Sequence, residues 1–273
     1  MIKTPRQTQP RRWTSLAIAS VTLATTPAFA DMRSPAPITL ATPDALLWLA
    51  QDQGGEAGEA GITTDAAPAT AYLAELSIIE GHMLAARDLY AMGHKDNAVD
   101  LSQHPSQEGT LADLVTRITA HGAVDPSAAI AGFTATMASG AAQADVDAAL
   151  TTVSQAFAAA AVSEAGKTRM RFDAVVLLLK AAAGEYSAAI ENGAVTDEMG
   201  WHEAYSFTAL AGLRLQDLAT QPQSAKAATR ALAALGQASA AFGDPMAETP
   251  LAGDPQILLG IAASVELIAS SVR

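Results

Sequence analysis

Cysteine is absent from the 273 residues of this chain. The fold therefore contains no disulfide bond, and zinc sites built on thiolates, thiol catalysis and covalent haem attachment are all excluded. A metal site in this protein would have to use imidazole and carboxylate ligands, a set that suits iron, zinc, copper or manganese. The five histidines and 28 acidic residues are thus the first places to look for binding chemistry.

Aromatic side chains are also scarce, at 5% of the residues, although half of the chain is apolar. Alanine dominates the apolar residues, and alanine is the best helix former and a poor strand former. No segment shows convincing period-two alternation, the pattern of a half-buried strand. The composition predicts an all-α fold, a bundle of stacked antiparallel helical hairpins.

After residue 30 the chain has no long apolar run. A membrane-spanning helix needs ~20 apolar residues, so no later segment is predicted to anchor the chain in a membrane. The leader, residues 1–30, has four basic residues and no acidic ones, then a short apolar run and Ala-Phe-Ala at its end. These features indicate a cleaved secretory signal peptide. Arg11-Arg12 leaves twin-arginine export open beside the general route. We expect a soluble protein exported to a periplasm.

Basic residues are few, with 16 Lys and Arg against 28 Asp and Glu and a net charge of −12. Removal of the leader takes away four of the basic residues and leaves 12 against 28, a net charge of −16. Such a surface repels nucleic acid and anionic lipid. An acidic surface is suited to binding cations or basic partners. The same charge would also be explained if it served only to keep the protein soluble.

The chain is predicted to consist of an irregular segment followed by one folded domain. Residues 31–66 contain three prolines and a glycine-rich linker at 54–61. Residues 67–273 are predicted to form a single all-α domain, and its first helix has apolar residues three and four apart up to Tyr90. Glycines and prolines separate the later helices, which are expected at 95–103, 110–121, 127–139, 143–162, 165–183, 185–192, 199–219, 223–241 and 255–271.

Three of the five histidines lie within residues 81–108, GHMLAARDLYAMGHKDNAVDLSQHPSQE. His82 falls on the apolar stripe of the first helix, and His104 begins a His-Pro-x-x-Glu sequence that ends at Glu108. Because a helical hairpin would bring these residues together, we predict that His82, His104 and Glu108 hold a transition-metal ion. The alternative is a core histidine bonded to a neighbouring helix, since none of the strong metal-binding spacings is present.

A second patch combines aromatic residues with a histidine at residues 199–207, MGWHEAYSF. It is either a helix start whose aromatic side chains cap the core or a rim that faces a ligand. Motifs for catalysis are missing, because the chain has no Gly-x-Ser-x-Gly elbow and no phosphate-binding glycine loop between a strand and a helix. We therefore predict no catalytic residues and a protein that is not an enzyme.

Two stretches resemble known families. Residues 184–207, GEYSAAIENGAVTDEMGWHEAYSF, resemble the extracytoplasmic helical region of ferroxidase-coupled iron permeases. The matching positions are Glu185, Tyr186, Ile190, Gly193, Trp201, Glu203 and Phe207. Gly200 stands where that region has an acid, and Trp201 stands where it has tyrosine. Residues 73–108 resemble uncharacterised exported helical proteins of proteobacteria through Gly81-His82 and the His-Pro-x-x-Glu sequence, a family with no activity to transfer.

The resemblance implies a soluble periplasmic relative of a domain that works beside iron uptake. The leading hypothesis is a non-catalytic periplasmic helical protein that binds a transition metal, with iron favoured. Its partner would be a membrane metal transporter or another periplasmic protein. The rival hypothesis is a metal-free helical module that binds a protein partner in a groove between its hairpins.

Overall fold

The computed structural model describes residue 63 and residues 65–107, 109–162, 167–247 and 249–272, which are predominantly α-helical. The predicted leader and all but three residues of the segment 31–66 lie outside the described residues, and so does Glu108. The all-α prediction is confirmed. In the part of the chain that the structure describes, no helix combines the length and the apolarity needed to cross a bilayer.

The helices fall into two groups along the chain. The first group consists of α1 Pro68–Met92, α2 Lys95–Leu101, α3 His104–Gln107, α4 Thr110–Ala120, α5 Ser127–Ala138 and α6 Gln143–Ala161. The second consists of α7 Thr168–Ala189, α8 Glu198–Ala219, α9 Ala225–Leu235, α10 Ser239–Phe242 and α11 Gln256–Ser270. A two-stranded hairpin, β1 Ile190–Glu191 and β2 Ala194–Val195, joins α7 to α8.

Helix α1 lies at the centre of the fold. It begins with Pro68, whose fixed φ and missing N–H suit the first turn of a helix. It ends at Gly93, which adopts a left-handed conformation (φ 94°) and donates its N–H to the carbonyls of Leu89 and Tyr90. Because α1 packs against α2, α4, α6, α7 and α8, it is buried on nearly all sides.

Two hydrophobic cores meet along α1. One core is formed mainly by α1, α4, α5 and α6, around Tyr72, Met83, Phe133 and Phe157. The other is formed by α7, α8, α9 and α11, which pack in a ring, with α7 and α9 each contacting both α8 and α11. Alanine lines much of this ring, which lets the helices approach one another closely.

The connection between α7 and α8 differs from the prediction. Gly184 was expected to end one helix and residues 185–192 to form another, which is wrong. Helix α7 instead runs through Gly184 to Ala189, and Ile190 then pairs with Val195 across a tight turn. The turn residues Asn192 (φ 54°) and Gly193 (φ 76°) are both left-handed. Asn-Gly is the strongest sequence signal for a two-residue hairpin, because both positions need positive φ.

Helix α2 ends at Leu101, two residues before the predicted end at residue 103, and the short helix α3 that follows was not predicted. Pro105 lies in the first turn of α3, where a proline is tolerated because its missing N–H has no intrahelical partner. His104 is thereby placed at the start of α3.

Candidate metal centre

Three side chains from three helices converge between the two cores. His82 on α1, His104 on α3 and Glu203 on α8 each offer one ligand atom, and these atoms lie within 4.8 Å of one another. Two of them, His82 and His104, were selected from the sequence. The third predicted ligand, Glu108, lies outside the described residues, and the carboxylate that the structure places between the two imidazoles is Glu203.

His82 is oriented by its own helix. Its Nδ1 lies 2.9 Å from the carbonyl oxygen of Ile78, one turn earlier on α1. This geometry assigns the proton to Nδ1 in the neutral ring, and it leaves the lone pair of Nε2 pointing away from α1. That Nε2 lies 3.2 Å from Oε1 of Glu203. A backbone carbonyl that fixes the tautomer in this way is typical of metal-ligating histidines.

His104 approaches the same carboxylate oxygen from the outer side. Its Nδ1 lies 3.7 Å from Oε1 of Glu203, and its ring lies edge-on to that of His82 at 6.4 Å between centroids and 67°. The side chain of His104 is 13% exposed, compared with 3% for His82 and 8% for Glu203. The cluster is thus closed on the side of α1 and α8 and most open to solvent at His104.

The close approach of α1 and α8 depends on Gly81. A Cβ atom added at Gly81 would lie 2.3 Å from Cδ1 of Phe207, well inside van der Waals contact. The Phe207 ring is fully buried and lies 5.4 Å from the His82 ring, so it forms the apolar wall of the cluster. The contact of Gly81 with Phe207 therefore sets the spacing at which His82 faces Glu203.

The start of α8 is fixed by a side-chain cap. Asp197 accepts hydrogen bonds from the backbone N–H groups of Met199, at 3.0 Å, and Gly200, at 3.2 Å. Such a cap defines where a helix begins, and hence which of its residues face inward. Glu203 lies in the second turn of α8, so the cap contributes to its orientation.

Glu203 is a buried carboxylate whose ion-pair partners, within the described ranges, are both histidines. Arg214, the guanidinium on the same helix, is paired with Glu80 on α1. The neutral His82 tautomer presents a lone pair to Glu203, so neither atom supplies a hydrogen between them. A proton or a cation between these two atoms would compensate the buried carboxylate, since burying an unpaired charge is costly.

The other two histidines of the region occupy different positions. His94 follows Gly93, is partly exposed and lies with Nδ1 2.9 Å from Oε1 of Glu198. His202 is fully buried beside Trp201, with ring centroids 5.0 Å apart. Burial and, to a smaller extent, the nearby His94 lower the pKa of His202 to about 4, so its imidazole is neutral at pH 7.

The aromatic patch at the start of α8 belongs to the core. Trp201 is fully buried and donates its indole N–H to the carbonyl of Leu251 at 3.0 Å. Its ring also packs edge-on against Phe242. Residues 199–207 were interpreted either as a helix start whose aromatic side chains cap the core or as a rim that faces a ligand. The first interpretation describes Trp201.

Fold and site together define an all-α bundle with a buried His-His-Glu cluster. Residues 162–266 match the family model described as the iron permease-associated 4-helix bundle domain. The resemblance of residues 184–207 to the helical region of iron permeases is thereby confirmed. The match spans less than half of the chain, contains α7 to α10 and most of α11, and includes Glu203 but neither His82 nor His104. No curated protein and no solved structure matched the chain.

Proposed function

We propose that this protein binds a transition-metal ion, iron in the first place, through His82, His104 and Glu203, and that it serves metal uptake as a non-catalytic periplasmic accessory. The observation that carries the proposal is the convergence of two imidazoles and a buried carboxylate within 4.8 Å. It is supported by the iron permease-associated bundle that supplies one of the three ligands.

The ligand set suits a divalent first-row ion. Two imidazole nitrogens and one carboxylate oxygen bind iron, zinc, copper or manganese, and the absence of thiolates disfavours copper(I). A cation between His82 and Glu203 would replace the missing hydrogen in that pair and neutralise the buried carboxylate. Glu108 follows His104 closely and remains, from the sequence, a further predicted ligand.

The geometry also suits a carrier. His104 is the most exposed of the three ligands and belongs to a short helix, so an incoming or departing ion would pass on its side. Three protein ligands leave coordination positions for water or for a donor group of a partner. The net negative charge of the chain raises the local concentration of cations.

The proposed partner is a membrane iron transporter, and the proposed compartment is the periplasm. The choice of partner rests on the name of the matched domain. The choice of compartment rests on the predicted leader at residues 1–30. The His-His-Glu cluster itself is independent of both statements, so it can be tested on the purified protein alone.

The test is an anaerobic Fe²⁺ titration of the purified, untagged protein by calorimetry, repeated with Zn²⁺ and Mn²⁺. Wild type is expected to bind Fe²⁺, and the His82→Ala, His104→Ala double variant is expected to lose the site. His121→Ala serves as the control, because His121 is exposed and lies outside the cluster. Equal uptake by wild type and the double variant would overturn the proposal. A folded wild type that takes up none of the three ions would favour the metal-free interaction module instead.

A further inference from the structure

A cavity of about 310 Å³ lies between α1, α6, α7 and α8. Each of these four helices turns one face towards it, because the lining positions on each helix are three or four residues apart, as Leu73, Leu76 and Ser77 are on α1. None of the residues that line the cavity belongs to the His-His-Glu cluster. The cavity is therefore a separate feature of the bundle.

The walls of the cavity are mainly apolar. Leu76, Phe157 and Leu218 are buried and face it from three different helices. Ala161 and Ala174 also line it, and their short side chains leave the space between the helices unfilled. Protein interiors are otherwise closely packed, with few voids larger than a water molecule. A lining of this kind is typical of a site for a ligand with an apolar group.

The size of the cavity limits the apolar group that it can accept. An apolar cavity of ~150 Å³ is large enough for benzene, so a cavity of twice that volume has room for roughly ten to twelve carbon atoms. Val162, which follows the last residue of α6, lines the cavity and is 69% exposed. The cavity thus reaches the protein surface at Val162, which gives a ligand a way in.

The charged groups of the lining favour an anion. Arg171 on α7 and Arg214 on α8 both line the cavity, whereas Asp217 is the one carboxylate among the lining residues that the structure describes. The chain as a whole has 16 basic and 28 acidic residues, so its composition does not predict an excess of guanidinium groups at one cavity. The planar fork of a guanidinium group matches the geometry of a carboxylate.

The two arginines are held in different ways. Arg214 donates a hydrogen bond to Glu80, whose side chain is only 7% exposed, so this partner stays in place. Arg171 donates through Nη2 to Asp217, whose side chain is 60% exposed. An ion pair with so exposed a partner is weak, and a guanidinium group has five N–H donors. Arg171 can therefore receive the carboxylate of a ligand beside Asp217 or in its place.

We propose that this cavity binds an aliphatic carboxylate of roughly ten carbon atoms, with its chain against Leu76, Phe157 and Leu218 and its carboxylate on Arg171. Arg214 adds a second positive charge to the wall. The inference goes beyond the proposed function and does not depend on it, because the cavity and the His-His-Glu cluster have no residue in common.

The experiment is a calorimetric titration of the full purified chain with decanoate, below the concentration at which decanoate forms micelles. A chelator is present throughout, so metal binding at the His-His-Glu cluster plays no part in the result. Wild type is expected to bind one decanoate per chain. Acetate lacks the chain and decanol lacks the charge, so each is expected to bind at least about tenfold more weakly.

Two variants test the anchor and the space, each with a matched control. Arg171→Gln is expected to weaken decanoate binding at least about tenfold. Arg169→Gln, two residues earlier on α7 and paired with Asp173, is expected to bind as wild type does. Ala158→Phe fills the cavity from an exposed position on α6 and is expected to abolish binding. Ala159→Phe, also exposed but outside the lining, is expected to leave binding unchanged.

Circular dichroism establishes that each variant is folded before it is titrated. A folded wild type that does not bind decanoate would overturn the proposal, and so would equal affinities for decanol and decanoate. Equal binding by Arg171→Gln and Arg169→Gln would contradict the role of Arg171. Equal binding by Ala158→Phe and Ala159→Phe would show that decanoate binds outside the cavity.

Discussion

His82 on α1 and Glu203 on α8 face each other with Nε2 and Oε1 3.2 Å apart, while Nδ1 of the same imidazole lies 2.9 Å from the carbonyl of Ile78. With its proton on Nδ1, the neutral imidazole and the carboxylate meet lone pair to lone pair. Such a contact is stable only when a proton or a cation lies between the two atoms. This relationship is the physical basis of the proposal that the cluster binds a metal ion.

Glu203→Gln is expected to change metal affinity and metal-free stability in opposite directions. The amide keeps the shape of the side chain but removes the anionic ligand, so affinity for Fe²⁺ is expected to fall at least about tenfold. In the metal-free protein the same change removes a buried charge, so the melting temperature in chelator is expected to stay the same or rise. Calorimetric titration and thermal unfolding check the two effects.

Glu191→Gln is the matched control for that substitution, because Glu191 is an exposed carboxylate in β1. It is expected to leave both affinity and melting temperature unchanged. If Glu203→Gln bound iron as wild type does, Glu203 would not be a ligand. A large loss of metal-free stability in Glu203→Gln would argue that Glu203 is a structural partner of His82.

Gly81→Ala is expected to destabilise the fold although alanine is the better helix former. The new Cβ would lie 2.3 Å from the buried Phe207 ring, and such overpacking costs roughly 1–3 kcal/mol. Gly260→Ala on α11 is the control, because a Cβ there has nothing within 4 Å and is expected to add up to about 1 kcal/mol of stability. Urea unfolding of both variants measures the difference.

The double variant Gly81→Ala, Phe207→Leu tests the cause of that loss. A smaller side chain at position 207 is expected to recover part of the stability lost in Gly81→Ala, because it leaves room for the added methyl group. If Gly81→Ala were as stable as Gly260→Ala, the close contact of α1 with α8 would not be what sets the distance between His82 and Glu203.

The buried His202 is expected to make the metal-free protein less stable in acid. Its pKa is about 4 in the folded chain and about 6.5 when unfolded, so between these values the unfolded chain binds the extra proton. The stability associated with the neutral ring is fully present above pH 6.5 and is lost as the pH falls towards 4, by roughly 3 kcal/mol in all. The charged groups next to His202 include His94, Glu198 and Glu203.

Urea unfolding in chelator at several pH values between 7.5 and 4 measures this effect. Comparison of wild type with His202→Gln isolates the contribution of His202 from that of its charged neighbours. The free energy of unfolding is expected to depend less steeply on pH in the variant. Equal slopes for the two proteins would contradict the assignment of a low pKa to His202.

The sequence predicted the helices well, since their periodicity and their glycine and proline boundaries are local. It failed at Gly184, because a single glycine inside a well-packed helix is tolerated when its neighbours are buried. The hairpin that follows was overlooked although Asn192-Gly193 signals it, because its strands have only two residues each and show no readable alternation.

The candidate site was predictable only in part. His82 and His104 belong to consecutive segments, so a local hairpin was sufficient to bring them together. Glu203 lies far along the chain and reaches them only because Gly81 lets α8 pack tightly on α1. Nothing in the periodicity of α8 distinguishes Glu203 from a solvated carboxylate, and the resemblance to iron permeases marked the residue without giving it a role.

The most direct test of metal binding is the metal content of the protein as it is purified from cells. The chain would be purified without a histidine tag and without chelator, beside the His82→Ala, His104→Ala variant, and both analysed by elemental mass spectrometry. The account predicts iron at a substantial fraction of one ion per chain in wild type and a clear loss in the variant. A metal-free wild type that also fails to take up added Fe²⁺ would contradict it.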